Sequence, residues 1–135
     1  MSYLPIAHRF KIVEQLLSWE EALYKATSQL IEKKVLSANY LKDIVEEINR
    51  SGAYMAITHD TVLFHARPSD YIFKEFISYL KVEEGVTYFD KTIHHVFVFG
   101  ARTPDYHQTL LRQISTFITE TKSDPSLLEL NTMTQ

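Results

Sequence analysis

Residues 95–104 read HVFVFGARTP and join an apolar strand to the start of a helix. The run His95–Phe99 is a continuous apolar stretch, which indicates a central strand covered on both faces. Thr103 and Pro104 then mark the start of a helix, because Thr103 can cap its first turn and the missing N–H of Pro104 costs nothing there. Strand and helix periods alternate along the rest of the chain, and this alternation predicts an α/β layer fold.

Two helices are predicted upstream of the strands. Ser18 and Glu21 form a capping box, and apolar side chains recur at helical spacing from Trp19 to Lys34. Ser37 caps a second helix, which is expected to end at Gly52 in a left-handed conformation that suits a residue without a Cβ. Both helices carry one apolar stripe, so each is expected to cover one face of a sheet.

Short apolar runs in the middle of the chain are typical of strands. These runs are Tyr54–Ile57, Val62–Phe64, Phe76–Val82 and Val86–Phe89, with a turn at residues 83–85 between the last two. A short final helix is predicted to follow Asp124–Pro125. The whole pattern predicts a three-layer α/β/α sandwich with a mixed, mostly parallel sheet, in a single domain that spans residues 1–135.

Composition narrows the function classes. The 135 residues are 45% apolar and 23% charged, with a net charge of −3, which are ordinary values for a globular protein. This charge gives no general attraction to nucleic acid, and no apolar run is long enough to span a membrane. The absence of cysteine excludes disulfides and thiolate chemistry and suits a reducing cytoplasm.

The sequence does not predict a metal or cofactor site. His59 and Asp60 are adjacent, but no third ligand has suitable spacing, so a solvated turn is the favoured interpretation. His94 and His95 are also adjacent, and neighbouring side chains of a strand point to opposite faces. Neither pair therefore predicts a metal-binding site.

Two other histidines are the strongest candidates for a catalytic role. His65 follows an apolar strand, and His107 lies in the first turn of the helix that begins at Thr103 and Pro104. A neutral imidazole can accept a phosphoryl group near pH 7, because its ordinary pKa is about 6.5. A helix N-terminus supplies N–H donors for the added negative charge. If the strands that precede these histidines are neighbours, both side chains meet at the carboxyl edge of the sheet.

The motifs around these histidines resemble those of a known family. The chain has GAY at residues 52–54, LFHARP at residues 63–68 and GARTPDYH at residues 100–107. They are similar to the G-P-Y, L-P-H-A-R-P and A-A-x-D-x-x-x-H-L motifs of the fructose/mannitol-type EIIA (EIIA type 2) components of the bacterial sugar phosphotransferase system. The likeness is greatest to the ascorbate-like branch, and it covers about residues 12–130.

The resemblance implies a function and a set of partners. A cytoplasmic phosphotransferase is expected, in which His65 accepts phosphate from the phosphocarrier HPr and passes it to the EIIB component. His107 would be the second active-site histidine, which positions or stabilises the phosphate. The resemblance implies a phosphohistidine intermediate, no metal, no direct nucleic-acid contact, and membrane contact only through the EIIB/EIIC complex.

Three further residues are candidates for binding. Arg67 is expected to face the phosphate, because its planar guanidinium matches phosphate oxygens, although an ion pair with Asp70 or Glu75 is an alternative. Phe64 and Tyr71 are expected to contact the partner proteins, because aromatic side chains dominate such contact patches.

Several residues depart from the motifs of the family, and they leave a second function open. The departures are Phe64 and Ala53 in place of proline, THD at residues 58–60 in place of Ala-Pro-Gly, and Arg102 and Pro104 before the second histidine. They favour a regulatory domain of the transcription-antiterminator type, in which phosphorylation is a signal. The sugar served and the oligomeric state are not predicted.

Overall fold

The computed structural model describes residues 7–120, where four strands and three α-helices are present. In chain order these are β1 (Ala7–Val13), α1 (Trp19–Glu32), α2 (Asn39–Ser51), β2 (Thr61–Phe64), β3 (Phe76–Tyr88), β4 (Lys91–Gly100) and α3 (Pro104–Glu120). The helix predicted after Asp124–Pro125 lies outside the described residues. Within residues 7–120, no helix is long and apolar enough to cross a membrane.

The four strands form one mixed sheet in the order β1-β3-β4-β2. Strand β1 pairs with β3 in parallel and β2 pairs with β4 in parallel, whereas β3 and β4 are antiparallel. Two of the three pairings are therefore parallel, which confirms the predicted mixed, mostly parallel sheet. The run His95–Phe99 lies in the inner strand β4 and is buried throughout, as predicted.

Helices cover both faces of the sheet, so the three-layer prediction is confirmed. Val96 and Val98 of β4 belong to the core beneath α1 and α2. Phe97 and Phe99 alternate with them and pack in a second core with the apolar stripe of α3. A strand segment whose successive side chains enter two different cores must be apolar at every position, and residues 96–99 of β4 meet that requirement.

The predicted helix starts are close to the observed ones. The Ser18 hydroxyl accepts the N–H of Glu21 at 3.2 Å, while Oε1 of Glu21 accepts the N–H of Leu17 at 3.0 Å. The Ser37 hydroxyl accepts the N–H of Asn39 at 3.1 Å, at the start of α2. Helix α1 ends at Glu32, earlier than predicted, because Lys34 adopts a left-handed φ of 60°.

The segment after α2 corrects two predictions. Gly52 is right-handed, with φ −68°, so a left-handed closing conformation is wrong. Glycine is required there by space, because a Cβ would lie 2.7 Å from Cγ2 of Ile48 and 2.9 Å from the hydroxyl of Tyr88. Residues Gly52–Met55 form a 3₁₀ turn that buries Met55, so the strand predicted over Tyr54–Ile57 is also wrong.

Strand β3 corrects a third prediction. Phe76–Val82 and Val86–Phe89 were expected to flank a turn, but one strand runs continuously from Phe76 to Tyr88. The residues between form a bulge, where the register with β4 shifts and Gly85 has a left-handed φ of 78°. Glycine is favoured at such a bulge because it has no Cβ to clash.

Candidate functional site

His65 lies directly beyond the carboxyl end of β2. Parallel pairing places Phe64 opposite Val98, so the chain after β2 runs beside the last residues of β4. The His65 ring stacks on the ring of Phe99, with centroids 5.1 Å apart and planes inclined by 22°. The condition that the two strands are neighbours in the sheet is therefore met.

His107 reaches the same place from the other side. It lies in the first turn of α3, where its N–H donates to the carbonyl of Thr103 at 3.0 Å. Its ring centroid is 5.6 Å from that of His65 and 5.0 Å from that of Phe99. The fold thus brings both predicted histidines together at the carboxyl edge of the sheet, next to the N-terminus of a helix.

The environment of His65 suits a neutral nucleophile. Its Nδ1 is 2.9 Å from the carbonyl oxygen of Leu63, so in the neutral ring Nδ1–H donates and Nε2 keeps its lone pair. Burial lowers the pKa of His65 below its ordinary value, although the Leu63 carbonyl and the charge of Glu47 partly oppose this effect. The ring is therefore neutral at pH 7.

His107 has an unsatisfied polar atom in this site. Its Nδ1 is buried and has no hydrogen-bond partner among the described residues. Burial, and then the charge of a protonated His65, lower the pKa of His107, so this ring is also neutral at pH 7. A buried ring nitrogen without a partner is costly unless a ligand satisfies it, which makes His107 a candidate ligand-binding group.

Tyr40 of α2 links the segment that follows His65 to the end of β4. Its buried hydroxyl accepts the N–H of Ala66 at 3.0 Å and lies 3.0 Å from the carbonyl oxygen of Phe99. Burial raises the pKa of Tyr40 well above its ordinary value, so the hydroxyl keeps its proton to donate. The sequence gives no sign of this role for Tyr40, because bonds that span 26 and 59 residues leave no local signal.

Replacing Tyr40 by phenylalanine is expected to destabilise the fold. The change leaves the buried N–H of Ala66 without its acceptor, which costs about 1–3 kcal/mol in free energy of unfolding. Urea unfolding measures the loss. The matched control is Tyr24→Phe, which removes an exposed hydroxyl and should change stability by less than about 0.5 kcal/mol. Equal stability of the two variants would contradict the role of Tyr40.

Arg67 is exposed and lies two residues beyond His65. Glu75 pairs with Arg102 instead, at 2.8 Å, so the alternative pairing of Arg67 with Glu75 is wrong. Among the side chains that the structure describes, neither Asp70 nor any other carboxylate forms an ion pair with Arg67. The guanidinium is available to an anion, and its phosphate-binding role stays a prediction.

The two predicted partner contacts differ in accessibility. Phe64 is completely buried in the core on the α1 side, where its ring packs against Tyr88 and Trp19. Adjacent residues of a strand point to opposite faces, so Phe64 points away from the side occupied by His65. Its predicted contact with a partner is therefore wrong. Tyr71 is 40% exposed and stays a predicted contact.

Residues 58–60 form a turn at the opposite end of β2 from His65. The Asp60 carboxylate accepts the hydroxyls of Thr58 and Thr61, and its backbone carbonyl accepts the N–H groups of His94 and His95. These bonds give Asp60 a structural role in joining the start of β2 to the middle of β4. Within residues 7–120, no group of three or more potential ligands is arranged to hold a metal.

Comparison with known proteins gives a family match over nearly the whole chain. The model of the family described as phosphoenolpyruvate-dependent sugar phosphotransferase system, EIIA 2, matches residues 7–135. The mannitol-specific cryptic phosphotransferase enzyme IIA component of Escherichia coli K12 is 26% identical over 112 residues, which are 81% of this chain and 76% of that protein.

Solved structures share the same architecture. The solution structure of the mannitol-specific cryptic phosphotransferase enzyme IIA from Escherichia coli superposes with a TM-score of 0.75 at 23% identity, covering 84% of this chain and 78% of that one. The enzyme IIA in a complex of mannitol IIA with phosphorylated mannitol IIB from Escherichia coli gives a TM-score of 0.65 at 18% identity, covering 88% and 82%. At these identities the likeness establishes the fold.

Proposed function

This chain belongs to the EIIA 2 family of the phosphoenolpyruvate-dependent sugar phosphotransferase system, and from that membership we propose that His65 relays a phosphoryl group from HPr to EIIB. The observation that carries the proposal is the Nδ1 contact of His65 with the Leu63 carbonyl, which leaves the Nε2 lone pair free. Family membership supplies the class of reaction, and this contact supports Nε2 of His65 as the nucleophilic atom.

The proposed step is an in-line displacement at phosphorus. The Nε2 lone pair of His65 forms a bond to the phosphorus of phosphorylated HPr, and the bond from phosphorus to the HPr imidazole breaks with its electron pair returning to that ring. The proton stays on Nδ1 of His65 and keeps its hydrogen bond to the Leu63 carbonyl, so the phosphorylated ring keeps its orientation. Transfer to EIIB repeats the same geometry in the opposite direction.

The negative charge of a phosphoryl group on His65 needs hydrogen-bond donors that do not react with the phosphorus. Phosphorylation adds about −1.5 to −2 charge, and the N-terminus of α3 supplies N–H groups with a favourable dipole. In the proposal His107 donates to the phosphate and exposed Arg67 faces it, while Tyr71 contacts the partner protein. No metal or cofactor is part of the proposed step.

The partners and the place of action are also part of the proposal. The neighbour that pairs a mannitol IIA with phosphorylated IIB supports EIIB as acceptor, and family membership supports HPr as donor. The relay is placed in the cytoplasm, with the membrane reached only through EIIB/EIIC. The curated relatives are specific for mannitol, whereas the ascorbate-like branch stays a prediction, so no sugar is assigned.

The test is a complete relay assembled from purified components. Incubation with phosphoenolpyruvate, enzyme I and HPr is expected to add one phosphate, seen by intact mass, which acid removes because phosphohistidine is acid-labile. Addition of EIIB should then return the chain to its original mass. A wild-type chain that gains no phosphate in the presence of active HPr would refute the proposal.

Two of the departures that favour the regulatory alternative lie away from the site. Phe64 is buried on the other face from His65, and the turn at residues 58–60 lies at the far end of β2. These departures therefore do not alter the surroundings of the nucleophile. A phosphorylated chain that keeps its phosphate in the presence of EIIB components would revive the alternative.

A further inference from the structure

A partly buried ion pair joins the start of β3 to the turn that leads into α3. Glu75 precedes β3 and is only 4% exposed, whereas Arg102 follows β4 and has a half-exposed side chain. Nη2 of Arg102 donates to Oε1 of Glu75 at 2.8 Å, and Nε donates to Oε2 at 3.1 Å. The backbone N–H of Arg102 also donates to Oε2, at 2.9 Å.

This set of bonds fixes the backbone as well as the side chain. A guanidinium fork on a carboxylate permits little rotation, and the additional bond from the backbone N–H fixes Arg102 itself. Thr103 is the next residue, and its carbonyl accepts the N–H of His107 at 3.0 Å. The position of the first turn of α3, and with it that of the His107 ring, therefore depends on the pair.

The pair also balances charge at the edge of the sheet where phosphate is proposed to bind. Phe76, next to Glu75, is in register with Gly100 at the carboxyl end of β4. Burial would raise the pKa of Glu75, but the bonds from Arg102 outweigh it and hold that pKa below its ordinary value. The carboxylate is therefore charged at pH 7, and the Arg102 cation compensates it.

We infer that Arg102 is a positioning residue for phosphoryl transfer, which acts through Glu75 to hold His107 beside His65. The inference rests on the proposed function, because it concerns the same site. Arg102 is one of the positions at which this chain departs from the family motif, so the pair is a feature of this sequence that the family motif does not supply.

The first test is kinetic and uses Arg102→Gln in the relay with HPr. The saturating rate of transfer to His65 is expected to fall about tenfold or more, because small displacements of an active-site group are costly. The HPr concentration at half-maximal rate should stay within about twofold of the wild type, since a positioning residue does not bind the donor. If only the HPr concentration at half-maximal rate changed and the saturating rate did not, Arg102 would be a docking residue and the inference would be overturned.

The matched control is Lys91→Gln. Lys91 forms an ion pair with Asp90 at 3.5 Å, at the hairpin between β3 and β4. Removing its charge should leave transfer unchanged. An equal loss of rate in Lys91→Gln and Arg102→Gln would show a general effect of charge and would also overturn the inference.

A second readout does not depend on phosphoryl transfer. The nuclear Overhauser contact between the His65 and His107 rings should weaken in Arg102→Gln and persist in Lys91→Gln. If this contact between the two rings persists in Arg102→Gln, the inference is overturned. If the wild type accepts no phosphate, the proposed function fails, whereas this contact still decides whether the pair positions His107.

The double variant Glu75→Gln/Arg102→Gln separates the effect of the position of His107 from the effect of the charge of Glu75. It restores the charge balance but lacks the ionic fork, so transfer should stay slow. Full recovery would show that the uncompensated Glu75 carboxylate, and not displacement of His107, slowed Arg102→Gln. If circular dichroism shows that Arg102→Gln unfolds, Arg102→Lys replaces it, because lysine keeps the charge and cannot form the fork.

Discussion

Replacing His65 by alanine should leave a chain that accepts no phosphate from HPr. The substitution removes the Nε2 lone pair that the Leu63 carbonyl keeps available, and with it the proposed nucleophile. Intact mass after incubation with phosphoenolpyruvate, enzyme I and HPr is expected to show one acid-labile phosphate on the wild type and none on the variant. The expected effect is complete loss of acceptance.

The control for this experiment is His59→Ala. His59 is a highly exposed histidine in the turn before β2, at the opposite end of that strand from His65. Its removal should leave both the rate and the extent of phosphorylation unchanged. Acceptance by a folded His65→Ala chain would move the nucleophile to another residue and refute the assignment.

The sequence predicted those parts of the fold that have local signals. The apolar run of β4 and the Thr103 cap of α3 are each read within a few residues, and both were correct. The meeting of His65 and His107 needed one further condition, the pairing of β2 with β4. The structure supplies this pairing, and no local pattern in the chain specifies it.

The features that the sequence missed depend on contacts between distant segments. Strand β1 was not predicted, and it is identified by its parallel register with β3. The sequence predicts a turn where the structure has a bulge near Gly85, because a glycine after two glutamates fits either structure. The Glu75–Arg102 pair spans 27 residues, so no spacing rule identifies it.

The errors at the site have a different cause. Phe64 is adjacent to His65 in sequence, and its aromatic ring favours a contact patch around that histidine. In an extended segment, consecutive side chains point in opposite directions, so the neighbour of an active-site residue lies in the opposite core. Phe99 was identified as a core strand residue, but not as the ring on which both histidines pack.

Replacing His107 by alanine should slow transfer to His65 by about a hundredfold without abolishing it, the effect typical of losing one donor to a developing charge. His65 keeps its Leu63 contact in this variant, so the nucleophile survives while the proposed phosphate donor is lost. Rapid-quench measurement of the first turnover gives the rate, and the extent of phosphorylation at long times shows that acceptance persists.

The pH profile distinguishes the two histidines in the same experiment. Transfer needs a neutral His65, so the rate should rise with pH and level off once the lowered pKa of His65 is passed, below the ordinary 6.5. The two rings lie 5.6 Å apart and burial lowers the pKa of both, so losing the His107 ring should expose His65 and move the acid limb to higher pH in His107→Ala. The control is Gln108→Ala, an exposed neighbour on α3 that should be fully active. A His107→Ala chain as fast as this control would show that His107 has only a structural role.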